Sequence, residues 1–191
     1  MKFLKHSVTA MAILTLAVGA LAADQMLTAD VVVVGAGSGG LTAGVAATDA
    51  GLKTIVLEKN AVIGGGGNYM EGTFFVGSAL QKADNIGVTP ERQFKRVMDF
   101  HHWRINAKAL NSWLKQTAGV YDWLADHGTP FFLWENLPAP ELSRCVISPG
   151  EGITGGSMLL RCLMAALKKK GVPIHYNTKA VKLLANDVME V

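Results

Sequence analysis

A glycine-rich turn between a buried strand and a helix constrains this sequence most. Residues 31–34 are four valines, and residues 35–40 (GAGSGG) follow them directly. A continuous β-branched run is typical of a parallel-sheet strand that is buried on both faces. Residues 41–50 are rich in alanine and favour a helix that packs closely on a sheet, and residues 54–57 predict a second buried strand. The segment therefore predicts a β-α-β unit with a right-handed crossover.

The turn fits the G-x-G-x-x-G pattern, and it lies between a strand and a helix, the context that makes this pattern informative. Gly35 permits the tight turn, Gly37 leaves room for a pyrophosphate, and Gly40 lets the helix lie close to the sheet. The helix N-terminus offers free N–H groups to phosphates. Glu58 ends the second strand, where its carboxylate can accept hydrogen bonds from ribose hydroxyls and disfavours a 2′-phosphate. These features predict dinucleotide binding.

A second glycine-rich segment distinguishes between the two common dinucleotides. The spacing from the turn to Glu58 serves both FAD and NAD. Residues 64–67 are four consecutive glycines, close in sequence to the end of the second strand. A longer cofactor needs this additional backbone along its pyrophosphate and ribitol, so the segment favours FAD. An NAD-dependent enzyme is the alternative, although no tyrosine here is followed by a lysine four residues later.

The rest of the chain completes an α/β pattern. Helices are predicted over residues 91–103, 107–127 and 157–170, strands over 130–134, 173–176 and 179–184, and a loop over 135–152. We therefore predict a Rossmann-like FAD/NAD(P)-binding domain with a parallel sheet and a helical insertion.

The first 22 residues have the three parts of a secretory signal peptide. Lys2 and Lys5 form a basic start, residues 8–18 form an apolar run of 11 residues, and Ala20-Leu21-Ala22 forms a small-residue cleavage site. The run is shorter than the about 20 residues that span a bilayer. We therefore expect a periplasmic or secreted protein, with residues 23–191 as its FAD-binding domain and no stable membrane insertion after cleavage.

Charge and side-chain chemistry exclude several other functions. The formal net charge is +3, and it falls to +1 once Lys2 and Lys5 are removed with the signal peptide, so no nucleic-acid partner is expected. His101 and His102 are adjacent, which points them apart on a helix, and no metal-ligand cluster is found. Cys145 and Cys162 are the two cysteines. We expect two thiols there, although the exported location permits a disulfide.

Residues 31–72, from VVVVGAGSGG to GGGGNYMEG, resemble the N-terminus of the fumarate reductase/succinate dehydrogenase flavoproteins, the FAD-dependent oxidoreductase 2 family. The resemblance is strongest to exported members, such as the flavocytochrome c fumarate reductases and urocanate reductases. Residues 153–184 resemble a later β-α-β part of the same family. The resemblance implies an FAD-dependent oxidoreductase that transfers a hydride from reduced FAD to an activated C=C bond of a small substrate.

The resemblance also implies site residues. The pyrophosphate would lie on the backbone at Gly35, Ala36, Gly37, Ser38 and Gly39; the adenosine ribose would lie by Glu58 and Lys59; the flavin side would be lined by Gly65, Gly66, Gly67, Asn68, Gly72 and Thr73; and the adenine would meet the strand at Val181. Members with covalent flavin have a histidine where this chain has Gly66, so the resemblance implies non-covalent FAD. Thr73 departs from the glycine pair of the family.

The family's capping domain, its catalytic arginine and its last FAD contacts come from beyond this segment. Nothing in residues 1–191 matches them, so no catalytic residue is assigned and the capping domain is expected to be absent. The chain is therefore expected to be the N-terminal portion of a larger flavoprotein. A non-catalytic or split FAD-binding fragment that needs the C-terminal half is the alternative. A separate electron-donor protein is a candidate partner.

Overall fold

The structure is a computed structural model that describes residues 26–134, 144–147 and 151–184. The predicted signal peptide, residues 1–22, lies outside these residues. In chain order the elements are β1 (Val31–Val34), α1 (Ser38–Asp49), β2 (Thr54–Leu57), a 3-10 helix (Gly65–Tyr69), β3 (Gly72–Thr73), α2 (Ala79–Ala83), α3 (Pro90–Phe100), α4 (Ala107–Asp126), β4 (Phe131–Trp134), β5 (Arg144–Ile147), α5 (Gly155–Lys169) and β6 (Ile174–His175).

A parallel sheet carries the N-terminal unit. Its strand order is β1-β2-β6, with Val31 opposite Thr54 and Val56 opposite Ile174. Helix α1 connects the first two strands, as the sequence predicts, and starts at Ser38, within the glycine-rich residues 35–40. The predicted α/β fold with a Rossmann-like parallel sheet is confirmed.

Helices α1 and α5 form the main core with this sheet. Val33 and Val56 point into that core, where Leu163 and Leu167 of α5 are fully buried. A Cβ on Gly44 of α1 would lie 3.4 Å from the side chain of Leu167, so the small residue lets the two helices approach closely. The alanine-rich and glycine-rich composition of α1 thus sets the close packing that holds its N-terminus over the sheet.

A second sheet was not foreseen from the sequence. It is antiparallel in the order β3-β5-β4, with Gly72 opposite Val146 and Leu133 opposite Cys145. Strand β5 lies inside the segment 135–152 that was predicted to be a loop, so that prediction is wrong for residues 144–147. Helix α2 was also missed. Strands as short as β3 and β5 contain too few residues for an alternation of apolar and polar side chains to be recognised in the sequence.

Two further expectations are wrong. Val32 and Val34 are 51% and 66% exposed, so β1 is buried on one face only. The reason is that α1 and α5 cover one face, and β1 lies at the edge of the described sheet. Residues 179–184 form no strand in the described structure, and Val181 is 86% exposed there. A strand needs a neighbour for its backbone groups, and the described part of the chain provides none here.

No helix within residues 26–134, 144–147 or 151–184 is long and apolar enough to cross a bilayer.

We expect Gly40→Ala to destabilise the chain far more than Gly39→Ala. A Cβ on Gly40 would overlap the carbonyl oxygen of Gly35 and lie 3.3 Å from the side chain of Val33, whereas one on Gly39 would meet nothing within 4 Å. Overpacking of this kind costs about 2–3 kcal/mol. Alanine in place of an unstrained helical glycine stabilises by up to about 1 kcal/mol. Urea unfolding of both variants without cofactor measures the difference, and equal stability of the two would contradict this account.

Candidate dinucleotide-binding site

The turn between β1 and α1 presents bare backbone. Gly35 has a φ of +100°, which favours glycine, and its N–H donates to the carbonyl oxygen of Leu57 at 2.7 Å. Gly37 is the N-cap residue of α1, and no side chain caps the helix. The first turn also holds no acidic residue. The first N–H groups of a helix have no acceptor within it, so this end of α1 suits an anionic ligand.

The carboxylate of Glu58 is fixed by two backbone donors. Its Oε2 accepts from the N–H of Ala36 at 2.7 Å, and its Oε1 accepts from the N–H of Asn60 at 2.9 Å. The residue is only 6% exposed. The N–H of Ala36, and after it that of Asn60, holds the pKa of Glu58 below its usual range. Each oxygen keeps a further lone pair, so the charged group can still accept hydrogen bonds from hydroxyls.

The second glycine segment touches the first. The N–H of Gly64 donates to the carbonyl oxygen of Ala36 at 2.9 Å, and Gly37 pairs with Gly64 as an isolated parallel bridge. Gly67 packs on the start of α1, because a Cβ there would lie 3.2 Å from the Cβ and the backbone nitrogen of Ser38. The structure thus brings both glycine segments to the N-terminal end of α1.

Residues at the start of α5 hold the second glycine segment by hydrogen bonds and close packing. Thr154 Oγ1 donates to the carbonyl oxygen of Asn68 at 2.5 Å, and Ser157 Oγ donates to Asn68 Oδ1 at 3.0 Å. A Cβ on Gly156 would overlap the carbonyl oxygen of Gly67. Sequence analysis missed these residues, although a threonine before a predicted helix is a recognisable N-cap signal.

Strand β3 carries the remaining pair, Gly72 and Thr73. A Cβ on Gly72 would overlap the carbonyl oxygen of Cys145. Thr73 lies opposite Cys145 in the strand ladder and is half-buried, so a threonine is accommodated where the family has glycine.

Cys145 is a buried free thiol 3.3 Å from Ser78 Oγ, and burial raises the pKa of Cys145. Cys162 is also free.

The remaining two predicted site residues are Lys59 and Val181. Lys59 is exposed beside Glu58. The N–H of Thr178 donates to the main-chain oxygen of Glu58 at 2.8 Å, but the chain that follows it is not a strand. Val181 has no hydrogen bond to the glycine segments or to Glu58 among the described residues. The strand expected at Val181 is absent from the described residues, and the adenine contact there stays a prediction.

The described residues fit a dinucleotide. A Cβ on Gly35, Gly39, Gly65 or Gly66 would meet nothing within 4 Å, so the backbone of both segments has an open side. That open side, the uncapped helix and the buried carboxylate are the parts that a dinucleotide requires. No group of His, Cys, Asp and Glu side chains within the described ranges could hold a metal ion.

Comparison with known proteins identifies the family. The family described as "FAD binding domain" matches residues 30–191. The chain belongs to this family. It is 32% identical to a vinyl phenol reductase of Lactiplantibacillus plantarum over 81% of this chain and 30% of the relative. It is 31% identical to a fumarate reductase (cytochrome) of Shewanella frigidimarina over 88% of this chain and 29% of the relative.

A solved structure agrees with these relatives. The open conformation of a flavocytochrome c3 fumarate reductase superposes with a TM-score of 0.74 at 29% identity, over 88% of this chain and 30% of that one. The resemblance to fumarate reductase flavoproteins and the prediction of FAD as cofactor are confirmed. The chain spans about 30% of the length of these relatives.

We expect Glu58→Gln to destabilise the fold at neutral pH, because the amide nitrogen would place a donor against a backbone N–H. The free energy of unfolding should fall by about 2 kcal/mol at pH 7. Glu58 has a folded pKa below the ordinary 4.5, so its contribution is present above that pH and is lost as the pH falls through the folded pKa. The gap between wild type and variant should therefore shrink as the pH falls below 4.5 and through the folded pKa of Glu58.

Urea unfolding across this pH range measures the gap. Glu71→Gln is the matched control, because Glu71 is an exposed glutamate in the same part of the chain. A gap that stayed constant with pH, or an equal loss in the control, would contradict the role given to Glu58.

Proposed function

We propose that the chain is the FAD-binding part of an exported, fumarate reductase-like oxidoreductase that transfers a hydride from reduced FAD to an activated C=C bond of a small substrate. The observation that carries the FAD site is the contact of the two glycine segments at the uncapped N-terminus of α1, beside Glu58. The reaction class is supported by the relatives, which include a vinyl phenol reductase and a fumarate reductase.

Each part of the site would hold one part of the cofactor. The first-turn N–H groups of α1, after Gly37, would bind the pyrophosphate, since the N-cap residue Gly37 has no side chain to cap them. Glu58 would accept hydrogen bonds from ribose hydroxyls. The open backbone at Gly65 and Gly66 would lie along the flavin side. When bound, FAD supplies the ring that carries the hydride, and the residues of this chain bind and orient it.

The charge of Glu58 sets the choice of nucleotide. Because two backbone N–H groups keep the carboxylate ionised and fixed, a 2′-phosphate placed beside it would be repelled. A ribose with free hydroxyls would instead supply two donors to the lone pairs that remain. We infer that the site takes a nucleotide with an unmodified ribose, as in FAD.

The flavin should be held without a covalent bond. The position that carries histidine in covalent members is Gly66, which has no side chain, and the space where a Cβ would stand is open. Affinity would then come from non-covalent contacts, among them those of the backbone and of Glu58.

A second candidate is an FAD-binding half that binds firmly only with further polypeptide. The observation that favours it is the edge strand β1, on which Val32 and Val34 are 51% and 66% exposed. An edge strand with apolar residues is a site for strand addition. A compact NAD-dependent enzyme is the third candidate.

We expect the purified chain to retain FAD through desalting and to release all flavin into the supernatant on acid precipitation. Gly37→Ala should weaken FAD binding about tenfold or more without lowering stability, because its Cβ would make only ordinary contact, 3.6 Å from the carbonyl oxygen of Gly64, yet would stand where the pyrophosphate approaches. Visible absorbance and fluorescence titration measure both. Gly87→Ala, with nothing within 4 Å of its Cβ, is the control.

The outcomes separate the three candidates. Flavin retained by wild type and lost by Gly37→Ala supports the proposal. Flavin lost by a folded wild type that self-associates favours the half that needs further polypeptide. Retention of NAD in preference to FAD would overturn the assignment, and flavin that stays with the acid precipitate would overturn the non-covalent attachment.

Export is supported by the sequence of residues 1–22, which lie outside the described structure. We expect the chain recovered from a periplasmic or secreted fraction to begin at Ala23, because cleavage follows the small residues Ala20 and Ala22. Leu14→Arg should leave an uncleaved precursor in the cytoplasm, because the charge interrupts the apolar run. Intact mass spectrometry measures both, and a wild-type chain that keeps Met1 would contradict export.

A further inference from the structure

The start of α5 directs two hydroxyl groups at one residue of the second glycine segment. Thr154 is the N-cap residue of α5, and Ser157 is the third residue of the helix, in its first turn. Thr154 Oγ1 lies 2.5 Å from the carbonyl oxygen of Asn68, and Ser157 Oγ lies 3.0 Å from Asn68 Oδ1. Both acceptors belong to Asn68, so its main chain and its side chain are held from the same helix.

The number of hydroxyl protons determines which group donates in each of these hydrogen bonds. Each hydroxyl has one proton, and both oxygens of Asn68 can only accept. Both protons therefore point at Asn68, so the 3.0 Å contact between Thr154 Oγ1 and Ser157 Oγ has no proton of its own. Thr154 Oγ1 accepts from the backbone N–H of Ser157 at 3.1 Å. Because Ser157 donates to Oδ1, the amide nitrogen of Asn68 turns the other way, toward the carbonyl oxygen of Gly65 at 3.3 Å. Ser157 thus determines which way this amide faces.

The orientation of the amide bears on the backbone of the glycine segment. Gly64 has a φ of +116°, and a Cβ on it would overlap the amide of Asn68, so that side chain lies directly over Gly64. Gly64 in turn donates its N–H to Ala36 in the first glycine turn. A chain of direct contacts therefore runs from Ser157 through Asn68 and Gly64 to the turn that begins α1.

We propose that Ser157 is a positioning residue of the FAD site. Through Asn68 it fixes the backbone of Gly64 to Gly66, the open stretch that would lie along the cofactor. The inference rests on the proposed FAD site and assigns a role in it to a residue that does not itself line the open backbone.

Ser157 can be tested apart from the stability of α5. The cap itself is the hydrogen bond from the backbone N–H of Ser157 to Thr154 Oγ1. Ser157→Ala therefore keeps this cap and removes the hydroxyl that contacts Asn68 Oδ1 and Thr154 Oγ1. Ser157→Thr keeps a hydroxyl at the same place. Ser112→Ala on α4, where the hydroxyl is exposed and accepts from Gln116 Nε2 at 3.1 Å, is the matched control.

We expect Ser157→Ala to bind FAD about tenfold more weakly than wild type and to change the visible circular dichroism of the bound flavin, since one partly buried hydrogen bond corresponds to about this factor. Ser157→Thr should restore most of the affinity, and Ser112→Ala should match wild type. In an Asn68→Ala background, Ser157→Ala should have no further effect, because the two residues act as one unit. Wild-type affinity and spectrum in Ser157→Ala, or additive effects in the double variant, would overturn the proposal.

Amide hydrogen exchange of the cofactor-free chain tests the positioning role of Ser157 independently of FAD binding. The N–H groups of Gly64 and Gly67 are hydrogen-bonded in the folded chain, to Ala36 and Gly64 respectively. We expect both to exchange faster in Ser157→Ala, while amides in the middle of α5 exchange as in wild type. If wild type does not bind FAD, the proposed function fails, and unchanged exchange at these two glycines would then overturn the positioning role as well.

Discussion

The hydrogen bond from the N–H of Ala36 to the carboxylate of Glu58 is the interaction on which the site depends. A carboxylate that is 6% exposed is stable only when its oxygens are paired, and both donors here are backbone groups of loops. The bond ties the turn after β1 to the end of β2. The carbonyl oxygen of the same residue, Ala36, receives the N–H of Gly64. One peptide segment thus connects the charged group, the start of α1 and the second glycine segment.

The glycines around this segment serve two different purposes. At Gly40, Gly67 and Gly156 a Cβ would overlap or press on the protein's own backbone, so these residues allow elements to approach one another. At Gly35, Gly39, Gly65 and Gly66 a Cβ would meet nothing within 4 Å, so these residues keep backbone uncovered on the side away from the protein. The first set builds the junction of β1, α1 and α5, and the second leaves it accessible to a ligand.

The sequence predicts the β1–α1–β2 unit well, because its apolar strand segments, its glycine turn and its alanine-rich helix are all local signals. It predicts β5 and residues 179–184 badly, because pairing with a strand distant in sequence decides whether short segments are strands. The same holds at the site. Glu58 is recognisable by its distance from the glycine turn, whereas the bonds from Thr154 and Ser157 to Asn68 carry no local signal. They join residues 86 and 89 positions apart.

That separation also bears on the order of events in folding. The β1–α1–β2 unit closes through contacts that are near in sequence, whereas Asn68 in the second glycine segment is held by Thr154, 86 residues further along the chain. Contacts of such long range form late and slowly. The N-terminus of α1 would therefore form before the second glycine segment, which would lie along the flavin. A newly folding chain would have the pyrophosphate-binding part of the site first and the flavin-binding part last.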